Sequence, residues 1–194
     1  MPSGSVDVEA AERAAGQFLT ELGVTLDTDS RSRSAARMVA AYRELLAGPQ
    51  FTPTTFANDA GHRDLVLARA VPFVSLCEHH FLPFTGVAHV GYIPDGRILG
   101  LSKIARLVEM FARRPQVQES LTQQIVGWLF DELSARGAGA VVVAEHTCMT
   151  RRGIRAHGAT TVSVGWRGTL ADDSSARAEF LTLAGVSLLA GGAL

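Results

Sequence analysis

The sequence predicts an α+β domain: an antiparallel sheet with a helical pair on one face, preceded by an N-terminal helical arm. Three observations lead there. Apolar residues recur at helical spacing through the first fifty positions. Strand-like runs come in two pairs, near 65–93 and 140–166. Two amphipathic helical runs lie between those pairs.

In the arm, Val8, Ala11, Ala15, Phe18 and Leu22 mark one helix, with Gly23 as its stop. A second helix spans 34–46, packing through Ala36, Val39, Ala40 and Leu46 and ending at Gly48-Pro49. Residues 50–61, rich in Thr, Asn, Asp, Gly and Pro, read as an irregular connection. The boundary therefore falls between an arm with its connection, 1–62, and a main domain, 63–194.

The first strand is expected at 65–74, where Pro72 implies an edge or a bulge. The second is expected at 87–93, closed by the turn Pro94-Asp95-Gly96. Ile104, Leu107, Val108 and Phe111 place an apolar stripe on a helix with Ser102 suited to its N-cap, and Pro115 interrupts it. Leu121, Ile125, Leu129 and Leu133 mark the next helix, expected to reach Arg136 and stop at Gly137. Strands at 140–148 and 160–166 complete the set.

Composition limits the function. Hydrophobic residues make up 47% and charged residues 19%, a balance suited to a folded globular chain. A net charge of −1 offers no broad surface for nucleic acid. The tail 180–194 is a long uncharged stretch, yet it is short of the roughly 20 apolar residues of a membrane span. Met1–Ala15 carries acidic residues and no apolar core, so no secretory or transit segment is expected there. Cys77 and Cys148 are too few for a disulfide framework, and a reducing cytoplasm is the expected compartment.

Both cysteines have histidine neighbours, in Cys77-Glu78-His79-His80 and His146-Thr147-Cys148. Thiolate and imidazole are ligands that zinc prefers, and three protein ligands plus water is a catalytic arrangement. The C-x-x-H spacing lets Cys77 and His80 reach one ion from a tight turn, with Cys148 as the third ligand. His79 and His146 are left as nearby proton carriers. Taken alone, C-x-x-H is weak, because cysteine is often a small buried hydrophobe. The pairing of the two clusters is what strengthens it. His62, His89 and His157 lack such support and read as surface or satisfied strand and loop positions.

Ser102, Lys103 and Arg106 at a helix start, with Arg151-Arg152 past Cys148, suit an anionic phosphate chain. Lys103 is the only lysine in the chain. A compact ammonium there suits a phosphate oxygen, although chance can leave one lysine. Arg113 and Arg114 read as a solvated helix face. Glu119 is either a helix-dipole complement or a bidentate acceptor for guanine N1–H and the 2-amino group. Sequence physics does not choose between these.

The run Ser75-Leu76-Cys77-Glu78-His79-His80-Phe81-Leu82-Pro83-Phe84 resembles the zinc-turn signature of type I GTP cyclohydrolases. The similarity continues through Tyr92-Ile93-Pro94, Gly100-Leu101-Ser102-Lys103-Ile104 and Arg114-Pro115-Gln116-Val117-Gln118-Glu119. It extends through Leu121-Thr122-Gln123-Gln124, His146-Thr147-Cys148-Met149 and Arg152-Gly153-Ile154, covering about 64–183 in all.

The resemblance implies the tunnelling fold, with sheets of several subunits joined into a barrel and stacked as a homodecamer, and with active sites between subunits. It implies Zn2+ on Cys77, His80 and Cys148, and His79 with His146 as the proton-transfer pair. Glu119 would anchor guanine, while Ser102, Lys103, Arg106 and Arg152 would bind the triphosphate of GTP. Arg37 matches an arginine that reaches a neighbour's phosphates, whereas Ala40 stands where some members carry a further phosphate-binding lysine. The implied reaction releases formate and yields 7,8-dihydroneopterin triphosphate.

Overall fold

A computed structural model describes residues 6–186 and divides the chain into two compact units, Met1–Ala47 and Gly48–Leu194. The first unit is a helical hairpin of α1 (Val8–Glu21) and α2 (Ser34–Leu46). Asp7 caps α1 by accepting from the Ala10 N–H at 2.9 Å, and Gly23 takes the left-handed backbone that follows the helix. Ala15 and Val39 are its buried apolar contacts.

The second unit holds β1 (Thr55–Ala57), β2 (Val66–Cys77), β3 (Pro83–Ile93), β4 (Arg97–Leu99) and α3 (Leu101–Ala112). These are followed by β5 (Pro115–Gln116), α4 (Gln118–Asp131), β6 (Gly137–His146), α5 (Thr147–Thr150), β7 (Thr161–Gly168), α6 (Thr169–Asp172) and α7 (Ser174–Ala184). The main sheet has the order β5-β2-β3-β6-β7 and is antiparallel except for the β2–β5 pair. The two expected hairpins are thus one meander, joined where β3 pairs with β6. A small sheet pairs β1 with β4, so residues 48–62 group with the larger unit rather than with the arm.

Alternation along the strands sorts side chains onto two faces. Phe84, Ala88, Val90 and Tyr92 of β3 and Ala138, Ala140, Val142 and Ala144 of β6 face one core. There they meet Ile104, Leu107 and Val108 of α3 and Leu121, Ile125 and Leu129 of α4. The Val, Leu, Ile and Phe side chains among these contribute about 1.5–3 kcal/mol each on full burial. Val141 and Val143 turn the other way and pack with Leu170 and Phe180 of α6 and α7. Helices therefore occupy both faces, which corrects the expectation of one.

Other departures have local causes. The α3 N-cap is Gly100, whose carbonyl accepts from the Lys103 N–H at 2.8 Å, so the helix starts ahead of Ser102 and encloses it. α4 stops at Asp131 rather than near Arg136: Ser134 adopts φ +52°, and the Arg136 N–H already bonds Ile93 O at 2.9 Å. The irregularity announced by Pro72 is a bulge, in which Arg69 and Ala70 oppose His89 alone. Of the tail 180–194, residues 187–194 lie outside the described residues, as do 1–5 of the N-terminal segment. Among the described residues, no helix is long and apolar enough to cross a membrane.

Candidate metal centre and active site

The ladder between β2 and β3 brings the end of one strand against the start of the next, leaving five residues to reverse the chain. Cys77 N–H donates to Leu82 O at 2.9 Å and Phe81 N–H donates to Cys77 O at 2.8 Å. Phe81 takes φ +53° to close the turn. This geometry folds His80 back toward Cys77, with Nδ1 3.7 Å from Sγ.

Cys148 arrives from the other strand end. It lies in α5, one short helical turn beyond β6, and not on the strand itself. Thr147 Oγ1 donates to Pro83 O at 2.6 Å, pinning that turn to the start of β3. Glu145 accepts from Thr150 Oγ1 at 2.7 Å and pairs with Arg151 at 3.4 Å. Cys148 Sγ then sits 4.0 Å from Cys77 Sγ, and both thiols are free. The donor atoms of Cys77, His80 and Cys148 all lie within 4.8 Å of one another, and among the described residues they form a group that could hold a metal ion. Burial raises the Cys148 thiol pKa, Cys77 adds to the shift, and Arg152 partly offsets it. Two adjacent thiols resist joint ionisation, and a divalent cation removes that resistance.

His79 precedes His80 in the turn, and His146 lies two residues before Cys148. His79 is exposed, with Nδ1 3.8 Å from Cys77 Sγ and Nε2 3.9 Å from Glu78. His146 ends β6 and stacks on the ring of Phe84, with centroids 4.6 Å apart and planes 4° apart. Burial lowers its pKa, and the Glu119 carboxylate partly counters that. Glu119 is exposed in the first turn of α4.

The cations are held by separate local partners. Lys103 Nζ donates to Thr52 O at 2.8 Å. Arg106 lines a cavity of about 460 Å³ between α3 and β2, together with Glu109 and Arg113 and with none of the metal-type donors. Ser102 and Arg152 are exposed. Arg37 belongs to the first unit, where its guanidinium donates to Ser30 O at 2.9 Å.

Two polar residues at the site escaped sequence reasoning. Gln118 is 1% exposed and lies 2.7 Å from His146, and Gln116 is buried against Ser75 and the Phe111 carbonyl. Glutamine near a helix start reads as a surface residue, and only the sheet-end packing makes these two interior. His89 also differs from expectation: it is buried, and its Nδ1 has no hydrogen-bond partner.

Residues 11–185 match the family model described as GTP cyclohydrolase I. A GTP cyclohydrolase 1 of Mycobacteroides abscessus is 48% identical, covering 94% of this chain and 92% of its own. Proteins of the same name from Corynebacterium glutamicum and Mycobacterium avium are 45% and 47% identical, each covering 91% of this chain and 93% and 89% of their own. Among solved structures, an archaeosine synthase QueF-Like in the apo form matches with TM-score 0.43 and 18% identity, covering 54% of this chain and 93% of that one. That likeness is too distant to bear on the fold. The family match and the close relatives, spanning nearly the whole chain, make it a member of the GTP cyclohydrolase I family.

Proposed function

We propose that this chain is a GTP cyclohydrolase I, opening the guanine imidazole ring at C8, releasing formate and closing the product to 7,8-dihydroneopterin triphosphate. The observation that carries the reading is the Cys77, His80 and Cys148 donor set, with two further histidines close to it in sequence, in a chain of this family.

Zinc fits these donors. Tetrahedral bonds of about 2.3 Å to sulfur and 2.0–2.1 Å to nitrogen separate two sulfurs by about 3.8 Å and sulfur from nitrogen by about 3.6 Å. The separations here are 4.0 Å and 3.7 Å. Bound there by three protein ligands, zinc supplies Lewis acidity that makes water a competent nucleophile near neutral pH.

The remaining work belongs to side chains. His79 and His146 carry protons to and from the purine ring and the opening ribose. His146 suits a base, because burial favours its neutral form. Glu119 accepts from guanine N1–H and the 2-amino group. Ser102, Lys103, Arg106 and Arg152 bind the triphosphate, with residues 63–194 as the catalytic domain, and Arg37 reaches the phosphates held by a neighbouring subunit.

The proposal extends to a tunnelling-fold homodecamer with active sites between subunits. The edge strand β7 supports it, since Val162 and Val164 are 50% and 48% exposed. Free thiols at the site suit a cytoplasmic enzyme. The test is His79→Ala: GTP turnover is lost while zinc content stays native. Unchanged turnover removes His79 from the mechanism.

A further inference from the structure

Gln118 opens α4, is 1% exposed and makes three side-chain hydrogen bonds. Its Nε2 donates to Val142 O at 2.9 Å and to Thr161 O at 3.0 Å. Its Oε1 lies 2.7 Å from His146 Nε2. The chemistry fixes which way this amide faces. Reversed, its oxygen would confront two carbonyl oxygens at hydrogen-bond distance with no proton between them.

With both amide hydrogens committed, Oε1 can only accept, so His146 Nε2 must carry the hydrogen. A neutral imidazole in that state has its lone pair on Nδ1. The ring is oriented independently by its stack on fully buried Phe84, its cross-strand partner on β3. The Gln118 backbone is anchored in turn, since its carbonyl accepts from Thr122 Oγ1 at 2.9 Å.

We propose that Gln118 is a positioning residue that locks His146 in the Nε2–H tautomer and reserves Nδ1 as a proton acceptor of the site. The consequence for turnover rests on the cyclohydrolase reading, whereas the tautomer itself does not. A purely structural Gln118, tying α4 to the ends of β6 and β7, would set no tautomer.

The deciding experiment is solid-state 15N NMR of the zinc-loaded protein labelled at histidine nitrogens, at roughly pH 8 where ordinary imidazoles are neutral. A His146→Gln protein assigns the signals. The expected result is a pyrrole-type Nε2 and a pyridine-type Nδ1 for His146. In Gln118→Met the Nε2–H preference is lost and kcat falls about 100-fold. KM for GTP moves less than about threefold, as befits a group that does not bind substrate. A pyrrole-type Nδ1 in the native protein overturns the proposal, as does native kcat in Gln118→Met. The native spectrum decides even where a variant fails to fold. GTP turnover of the same native preparation separately tests the cyclohydrolase reading.

Discussion

Replacing Tyr92 by Phe isolates one bond that links the sheet to the start of α3. Tyr92 is fully buried on β3, and its hydroxyl accepts from the Leu99 N–H at 2.8 Å. Leu99 ends β4 and is 1% exposed, so its N–H has no water to turn to once the oxygen is gone. A buried donor left without a partner costs about 1–3 kcal/mol. The ring stays, so no cavity larger than one oxygen opens. For a chain of this length each kcal/mol moves the melting midpoint by about 2–4 °C, giving a drop of roughly 2–12 °C. Denaturant titration at fixed protein concentration should show a lowered midpoint with an unchanged slope. Because β4 leads through Gly100 into the helix carrying Ser102 and Lys103, KM for GTP should rise with it. A variant within about 0.3 kcal/mol of native stability would refute the account of Leu99 as a donor dependent on Tyr92.

Other perturbations follow the same reasoning. Burial, and then the charge of Arg69, hold the His89 pKa below its ordinary value of 6.5. The unfolded chain therefore takes up that proton first, so stability from His89 is complete above about 6.5 and is lost as pH falls toward the lowered folded value. His89→Leu should flatten that acid-side loss in denaturant titrations, and an unchanged slope with pH would contradict it. Gly139→Ala would put a methyl carbon 2.5 Å from the Trp166 ring, and the clash should cost about 1–3 kcal/mol; thermal unfolding at native values would count against that packing. Lys103→Met should raise KM for GTP about 10- to 100-fold if the ammonium leaves Thr52 O for a phosphate, and an unchanged KM would remove it from the binding site.

What the sequence made legible was whatever depended on local pattern. Helical periodicity located α1, α2 and α3, and Pro72 announced the bulge beside it. The metal-type group was legible because Cys77 and His80 share one turn and Cys148 has its own histidine neighbour. Contacts made at long range were not. β5 is two residues held by pairing with the end of β2, too short to leave a pattern. β1 and β4 exist only through each other. α7 carries weakly patterned apolar residues, and its role as cover for Val141 and Trp166 follows from the sheet face it meets. Gln118 was invisible because its three partners come from β6 and β7, at least 24 residues away.

The central claim is tested most directly by incubating the zinc-loaded protein with GTP and identifying the products by mass. The account predicts formate and 7,8-dihydroneopterin triphosphate together, both absent from a Cys148→Ala protein that has lost its zinc. A ring-opened formamide without the pterin would mean that only the first hydrolysis takes place. No consumption of GTP by zinc-replete protein would contradict the account outright.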